Sequence, residues 1–238
     1  MSLYYQDDLV TLYHGDCLEI TEWLAADVLV TDPPYGMAYE SGWVKDRPER
    51  PIAGDANANL RDHALAAWGS GPAIVFGTWR VPKPAGVKQT GIWDKGDDPG
   101  MGDLSIPWGS SFEEFYIMGS GFIGKRGGAV IRANKPPIAT RPDHPTPKPI
   151  GLMERLIENT VGTIADPFAG SGATLIAARN LGRQVVGVEL EERYCELIAK
   201  RLSQQSFDFA PRSPPANPEM RSSGWSGTEQ PFDFGEIA

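Results

Sequence analysis

Apolar positions in this chain fall in short unbroken runs, each closed by turn-forming residues. Val28-Leu29-Val30-Thr31, Ala73 to Gly77, Thr163 to Asp166 and Gln184 to Val188 are of this kind. Runs of four or five aliphatic and β-branched residues predict buried strands. Leu9 to Tyr13 and Glu114 to Met118 give two more strand-like stretches. Between them, helical spacing is predicted over Leu60 to Trp68, Ile150 to Asn159, Ala173 to Leu181 and Glu191 to Gln205, with Gly182 as a left-handed cap. A shorter helical stretch is expected from Gly15-Asp16-Cys17-Leu18 through Trp23, where Asp16 reads as its N-cap. Strands alternating with helices predict an α/β fold with a doubly wound, mostly parallel sheet.

The runs end in a distinctive way. Asp32-Pro33-Pro34-Tyr35 follows the first, and Asp166-Pro167-Phe168 follows the third. Proline lacks the N–H that a ladder needs, so each strand stops at its acid. In an open α/β sheet ligands bind beyond the carboxyl ends of the strands, which places both acids for chemistry. An Asp-Pro-Pro turn alone, however, would also serve simply to end a strand.

Length and composition narrow the setting. At 238 residues the chain suits one large domain, expected over 1–206 with an insert at about 80–141, followed by a disordered tail at 207–238 rich in Pro, Ser, Gly and Asn. The tail repeats Phe-Asp-Phe at 207–209 and 232–234, a pattern that chance explains better than docking does. Cys17 and Cys195 lie far apart, and the three histidines form no cluster, so neither a disulfide framework nor a metal site is expected. Without a basic leader or a long apolar stretch, the expectation is a cytoplasmic protein away from membranes.

The formal charge of −9 argues against a surface that grips nucleic acid everywhere. Between Arg80 and Lys148, by contrast, ten Lys/Arg face seven Asp/Glu. Any DNA footprint is therefore expected there, with Lys83, Lys88, Lys125, Arg126, Arg132 and Lys135 as candidate contacts. Lys125-Arg126-Gly127-Gly128 reads equally as an exposed hairpin tip.

The last third carries a strand, a glycine-rich loop (Phe168-Ala169-Gly170-Ser171-Gly172), a helix, and a second strand ending at Glu189, 17 residues after Gly172. This is the layout of an adenosine-type nucleotide site, in which glycines admit the ligand and the acid accepts from ribose hydroxyls. The third glycine of the dinucleotide pattern and the Walker lysine are both missing, so a phosphate cradle is poorly supported. Asp166 would repel a pyrophosphate but suits a ligand with an amino group and a positive charge. S-adenosylmethionine is such a ligand.

Taken together, Asp32-Pro33-Pro34-Tyr35-Gly36 and Asp166-Pro167-Phe168-Ala169-Gly170-Ser171-Gly172 resemble the motifs of the amino-methylating DNA methyltransferases (N6-adenine and N4-cytosine), in the group where the base motif precedes the cofactor motif. Gly15-Asp16, Trp93-Asp94-Lys95-Gly96, His144-Pro145-Thr146-Pro147-Lys148-Pro149 and Glu189 extend the likeness over roughly residues 9 to 203. The resemblance implies the Rossmann-like methyltransferase fold in permuted order. It implies a cofactor set of Asp16 at the adenine amino group, Glu189 at the ribose, and Asp166, Phe168, Ala169, Gly170 and Gly172 at the methionine moiety. Thr146 and Lys148 would close over that end, and Asp32 is shared with the catalytic set of Asp32, Pro33, Pro34 and Tyr35.

In that reading the Asp32 side chain and the Pro33 carbonyl accept the two amino hydrogens of a base flipped out of duplex DNA and stacked on Tyr35. No Pro-Cys pair is present for attack on cytosine C5. Asp at the first motif position leans the resemblance toward N6-adenine. N4-cytosine methylation is the alternative, and a DNA-binding module that has lost catalysis is the alternative of another class. A methyltransferase acting on protein glutamine fits less well, since that family uses Asn-Pro-Pro-Tyr. The short insert is consistent with a short recognition sequence or with a homodimer, and a partner restriction enzyme is compatible with the family but not indicated by any residue.

Overall fold

The computed structural model describes residues 2–35, 59–96, 105–136 and 147–205. In chain order its elements are β1 (Ser2–Gln6), β2 (Val10–His14), β3 (Val28–Thr31), α1 (Asn59–Trp68), β4 (Ala73–Gly77), β5 (Val87–Asp94), β6 (Phe112–Met118), β7 (Val130–Arg132), α2 (Ile150–Ile157), β8 (Ile164–Asp166), α3 (Ala173–Asn180), β9 (Val185–Glu189) and α4 (Glu192–Gln205). The strands form one nine-stranded sheet in the order β1-β2-β9-β8-β3-β4-β6-β5-β7. Its centre, β2 to β4, is parallel, whereas β1 and β6 run antiparallel to their neighbours.

The unbroken apolar runs are explained by cover on both faces. Val28 and Val30 point into a core closed by α2, α3 and α4, with Leu152, Leu175 and Ile198 packed against them. Leu29 points the other way, into a second core with Trp23, Ala64 and Val75. This is the expected doubly wound α/β architecture. Both cysteines are buried and free, and burial pushes each thiol up to about 12. Among the described residues no helix is long and apolar enough to cross a membrane.

Several elements differ from the sequence expectation. The stretch after Asp16 is a tight turn followed by a 3-10 helix at Glu22–Ala25, because Asp16 Oδ1 accepts from Leu18 N at 2.8 Å and so caps a single turn. Strands β1, β5 and β7 were not expected. β5 is broken in pattern by Gly91, yet a Cβ there would lie 2.1 Å from the Phe115 ring, so the glycine is what allows β6 to pack beside it. Residues 125–128 are not a hairpin tip: the chain after β6 passes over Asn159 and re-enters the sheet as β7, parallel to β5. The expected loop after Tyr35, Thr146 and the two Phe-Asp-Phe motifs lie outside the described residues.

Candidate active site at the carboxyl edge of the sheet

From β3 the chain winds to β4 on one side, and from β8 it winds to β9 on the other, so the winding reverses between β3 and β8. Such a switch point opens a crevice at the strand ends. Asp32 and Asp166 close the two strands that flank it. The antiparallel β6 brings its first residues to the same edge, where Glu114 pairs with Gly77 and Phe112 with Asp94.

On the β8 side Asp166 is 2% exposed and accepts from the Thr31 hydroxyl at 2.6 Å and from Phe168 N at 3.2 Å. Burial pushes its carboxyl up to about 6, against the pull of hydrogen bonds from Thr174 and Thr31. Glu189 ends β9 and is 8% exposed. Its two oxygens accept from Gly170 N at 2.7 Å and Glu191 N at 2.8 Å, and burial raises it to about 7. A carboxylate oxygen holds two lone pairs, so each keeps one for an incoming hydroxyl.

The loop between Asp166 and α3 is stitched down by Ala169 N to Val188 O at 2.9 Å and Gly172 N to Ala169 O at 2.7 Å. Gly172 has φ +80, and a Cβ there would meet Ile198 Cγ1 at 2.8 Å, so the turn has no room for a side chain. Asp16 stands nearby because Gly15 N donates to Glu189 O at 3.0 Å. The structure thus brings Asp16, Asp166, Phe168, Ala169, Gly170, Gly172 and Glu189 to one end of β2, β8 and β9.

On the β3 side Asp32 Oδ1 accepts from the Tyr35 hydroxyl at 2.5 Å, and Oδ2 accepts from Lys148 Nζ. The ammonium of Lys148, 5% exposed, also stands 3.2 Å from Glu113 Oε2 and 4.9 Å above the Phe76 ring. Lys95 closes the chain at 2.7 Å from Glu113 Oε1. A buried cation would cost several kcal/mol if unpaired, and here two carboxylates share it. Burial opposes the Lys148 charge, but Asp32 and Glu113 outweigh it and hold the ammonium above its ordinary value. Burial likewise raises Asp32, with Lys148 pulling the other way and Glu113 adding to the rise. For Glu113, Lys148 and Lys95 overcome burial and hold the carboxylate below its usual range.

Lys148 therefore turns its ammonium to the Asp32 side of the crevice. Sequence reasoning missed Thr31, Glu113 and Lys95 as members of the site. Lys95 lay within a recognised motif without a role, and Glu113-Glu114 stood as two acids heading an apolar strand, which was the only available signal.

The basic candidates are divided. Arg132 NH groups lie beside Asp94, at 3.9 Å for Nε, and Lys83 donates to Thr90 Oγ1 at 3.0 Å with Glu114 3.9 Å away. Lys88 sits at the start of β5, six residues from Asp94 and hence about 20 Å from the crevice edge. There it lines a cavity of about 440 Å³ with Trp68 and Met118. Lys125 and Arg126 follow Gly124, which packs on Asn159 at the far end of α2 from Lys148. Those three residues are remote from Asp32. At the crevice edge itself, Trp79 follows β4 with 62% of its surface exposed, and the Arg80 guanidinium lies 4.7 Å over its ring.

The geometry agrees with what comparison with known proteins finds. Residues 78–201 match the family model described as DNA methylase. The methylase-named protein YubD of Escherichia coli (strain K12) is 27% identical over 224 residues, covering 79% of this chain and 88% of that protein. Type II methyltransferase M2.DpnII of Streptococcus pneumoniae is 41% identical over a local stretch of 66 residues, about a quarter of each chain. Among solved structures, the M1.HpyAVI–SAM complex has a TM-score of 0.60 at 24% identity, covering 82% of this chain and 99% of its own. The cytosine-N4-specific PvuII DNA methyltransferase has a TM-score of 0.57 at 14% identity, covering 84% and 88%. These two share the fold. With the family model spanning more than half of its length, the chain belongs to the DNA methylase family.

Proposed function

We propose that this DNA methyltransferase moves a methyl group from S-adenosylmethionine to the exocyclic N6 amino group of an adenine flipped out of duplex DNA. The observation that carries the reading is the Thr31 hydroxyl bonded to Asp166, which sets the end of β3 directly beside the end of β8. Donor and acceptor sites then share one crevice.

The side chains present fit the donor. Glu189, with two free lone pairs at a strand end, suits a pair of ribose hydroxyls; the buried Asp166 and the Gly170 backbone suit a cationic amino-acid moiety; Asp16 suits an adenine amino group. When bound, S-adenosylmethionine supplies a methyl group on a positively charged sulfur. Asp32 and the Pro33 carbonyl accept the two amino hydrogens of the target, which aims the nitrogen lone pair into the crevice. As positive charge develops on that nitrogen, the Asp32 carboxylate stabilises it, a contribution made by positioning and by fixed charge. Pro33 and Pro34 hold this segment extended, and Tyr35 stacks on the base.

Asp at the first motif position supports adenine. The PvuII enzyme that shares the fold is by name specific for cytosine N4, and Asp32 would accept from either amino group. Incubation with labelled cofactor and unmethylated duplex DNA, followed by nucleoside analysis and modification-aware sequencing, tests the reading. N6-methyladenine at one recurring sequence is expected. N4-methylcytosine would transfer the assignment to the alternative, and cofactor binding without transfer would favour an inactive DNA-binding module.

Trp79 extends the substrate surface. Base stacking on an exposed aromatic is worth about 1–3 kcal/mol, so Trp79→Ala is expected to raise KM for DNA by about tenfold while the Kd for cofactor stays unchanged. Unaltered KM for DNA would remove Trp79 from the DNA-binding surface.

A further inference from the structure

We propose that Glu113 and Lys148 act as a positioning pair for Asp32: Lys148 fixes the carboxylate as a charged acceptor, and Glu113, working through Lys148, keeps that acceptor from being fully neutralised. The inference rests on the reading of Asp32 as the amino-group acceptor, and it concerns two residues far from β3 in sequence, Glu113 on β6 and Lys148 just before α2.

The geometry has three parts. Lys148 Nζ donates to Asp32 Oδ2, leaving Oδ1 to Tyr35, so the carboxylate plane is fixed from both sides. Glu113 Oε2 lies 3.2 Å from the same ammonium, so one cation serves two acids. Lys95 holds Glu113 from the other side at 2.7 Å and rests 5.1 Å over the Trp93 ring, which keeps Glu113 ionised in its turn. Asp32, Lys148, Glu113 and Lys95 thus form an alternating row of charges that sums to zero.

The other titratable groups around Asp32 are the Tyr35 hydroxyl bonded to it, the Tyr116 hydroxyl that acts on Tyr35, and, behind Thr31, Asp166. Tyr116 is engaged by Glu114 at 2.8 Å. In this arrangement a lone lysine on Asp32 would make a tight neutral pair and a poor acceptor. With no lysine, two neighbouring carboxylates could not both ionise near neutral pH.

The pair makes opposite demands on the pH profile, and this separates a positioning role from a structural one. Lys148→Met is expected to move the acid limb of kcat/KM upward by about one pH unit or more, with about a tenfold loss at fixed pH for each unit. Glu113→Gln is expected to move the same limb downward. The double variant is expected to recover toward the wild-type limb, because removing Glu113 relieves the repulsion that loss of Lys148 exposes. A uniform loss across pH for Lys148→Met, a silent Glu113→Gln and a double variant no better than Lys148→Met would overturn the proposal. Should Lys148→Met fail to fold, the downward shift in Glu113→Gln decides alone. Should the wild-type enzyme transfer no methyl group to DNA, the functional reading fails instead. The pair is then judged by thermal unfolding. Lys148→Met should lose stability more steeply than wild type as pH rises through the neutral range, since Asp32, already raised by burial, is raised further without its cation, and the double variant should lose less because the repulsion from Glu113 is gone.

Discussion

Asp32→Ala is expected to reduce the rate of methyl transfer by about 10²–10³-fold, the loss typical when one preorganised group facing a developing charge is removed. The affinity for cofactor should stay within about threefold of wild type, because the glycine loop and Glu189 are held by their own backbone bonds to β9. The fold should survive as well, since Lys148 keeps Glu113 as a partner when Asp32 is gone. Single-turnover transfer of labelled methyl to DNA, read beside calorimetric titration of the cofactor, makes the comparison. Turnover retained at near wild-type rate would remove Asp32 from the reaction.

Glu189→Gln is expected to weaken cofactor binding by about 10- to 100-fold, the range for hydrogen bonds to a charged acceptor. Its effect on the ligand-free protein should run the other way with pH. Burial raises Glu189 from its ordinary 4.5 to about 7 in the folded chain. A carboxyl raised on folding binds more protons folded than unfolded between those values. Its contribution is therefore complete below about 4.5 and is lost as pH rises toward about 7, up to about 3 kcal/mol. The Gln variant has nothing to ionise. Measured without ligand at pH 5, 6.5 and 8, its Tm should gain steadily on wild type, and a pH-independent difference would contradict this account. The same acid that binds the cofactor then destabilises the empty protein, a common conflict at binding sites.

Much of this was legible from the chain because the central strands are buried on both faces and so read as continuous apolar runs. Val28 to Thr31, Ala73 to Gly77 and the β8 and β9 runs were found within a residue, and the acids at their ends marked the crevice edge. The outer strands were harder. β5 carries Lys88, Gln89, Thr90 and Gly91 in succession, and its place is decided by Phe115 packing over Gly91, a partner 24 residues away. The charge row was invisible for a similar reason. Nothing local to Glu113 or Lys148 announces that antiparallel pairing of β4 with β6 brings Glu113 to the carboxyl edge. Lys125 and Arg126 show the converse: a basic pair that reads equally as a DNA contact or an exposed tip is placed by the path past Asn159 at the end of α2 away from Lys148.

The hydroxyl of Thr31 spans 135 positions of chain in one hydrogen bond. Since the two halves of the crevice meet through neighbouring strand ends, the order in which the ribosome delivers them has no bearing on the finished site. A circularly permuted gene that begins at the β8 half and ends at the β3 half would rebuild the same Thr31–Asp166 contact. What the crevice requires is that these two strand ends be neighbours, whichever of them comes first along the chain.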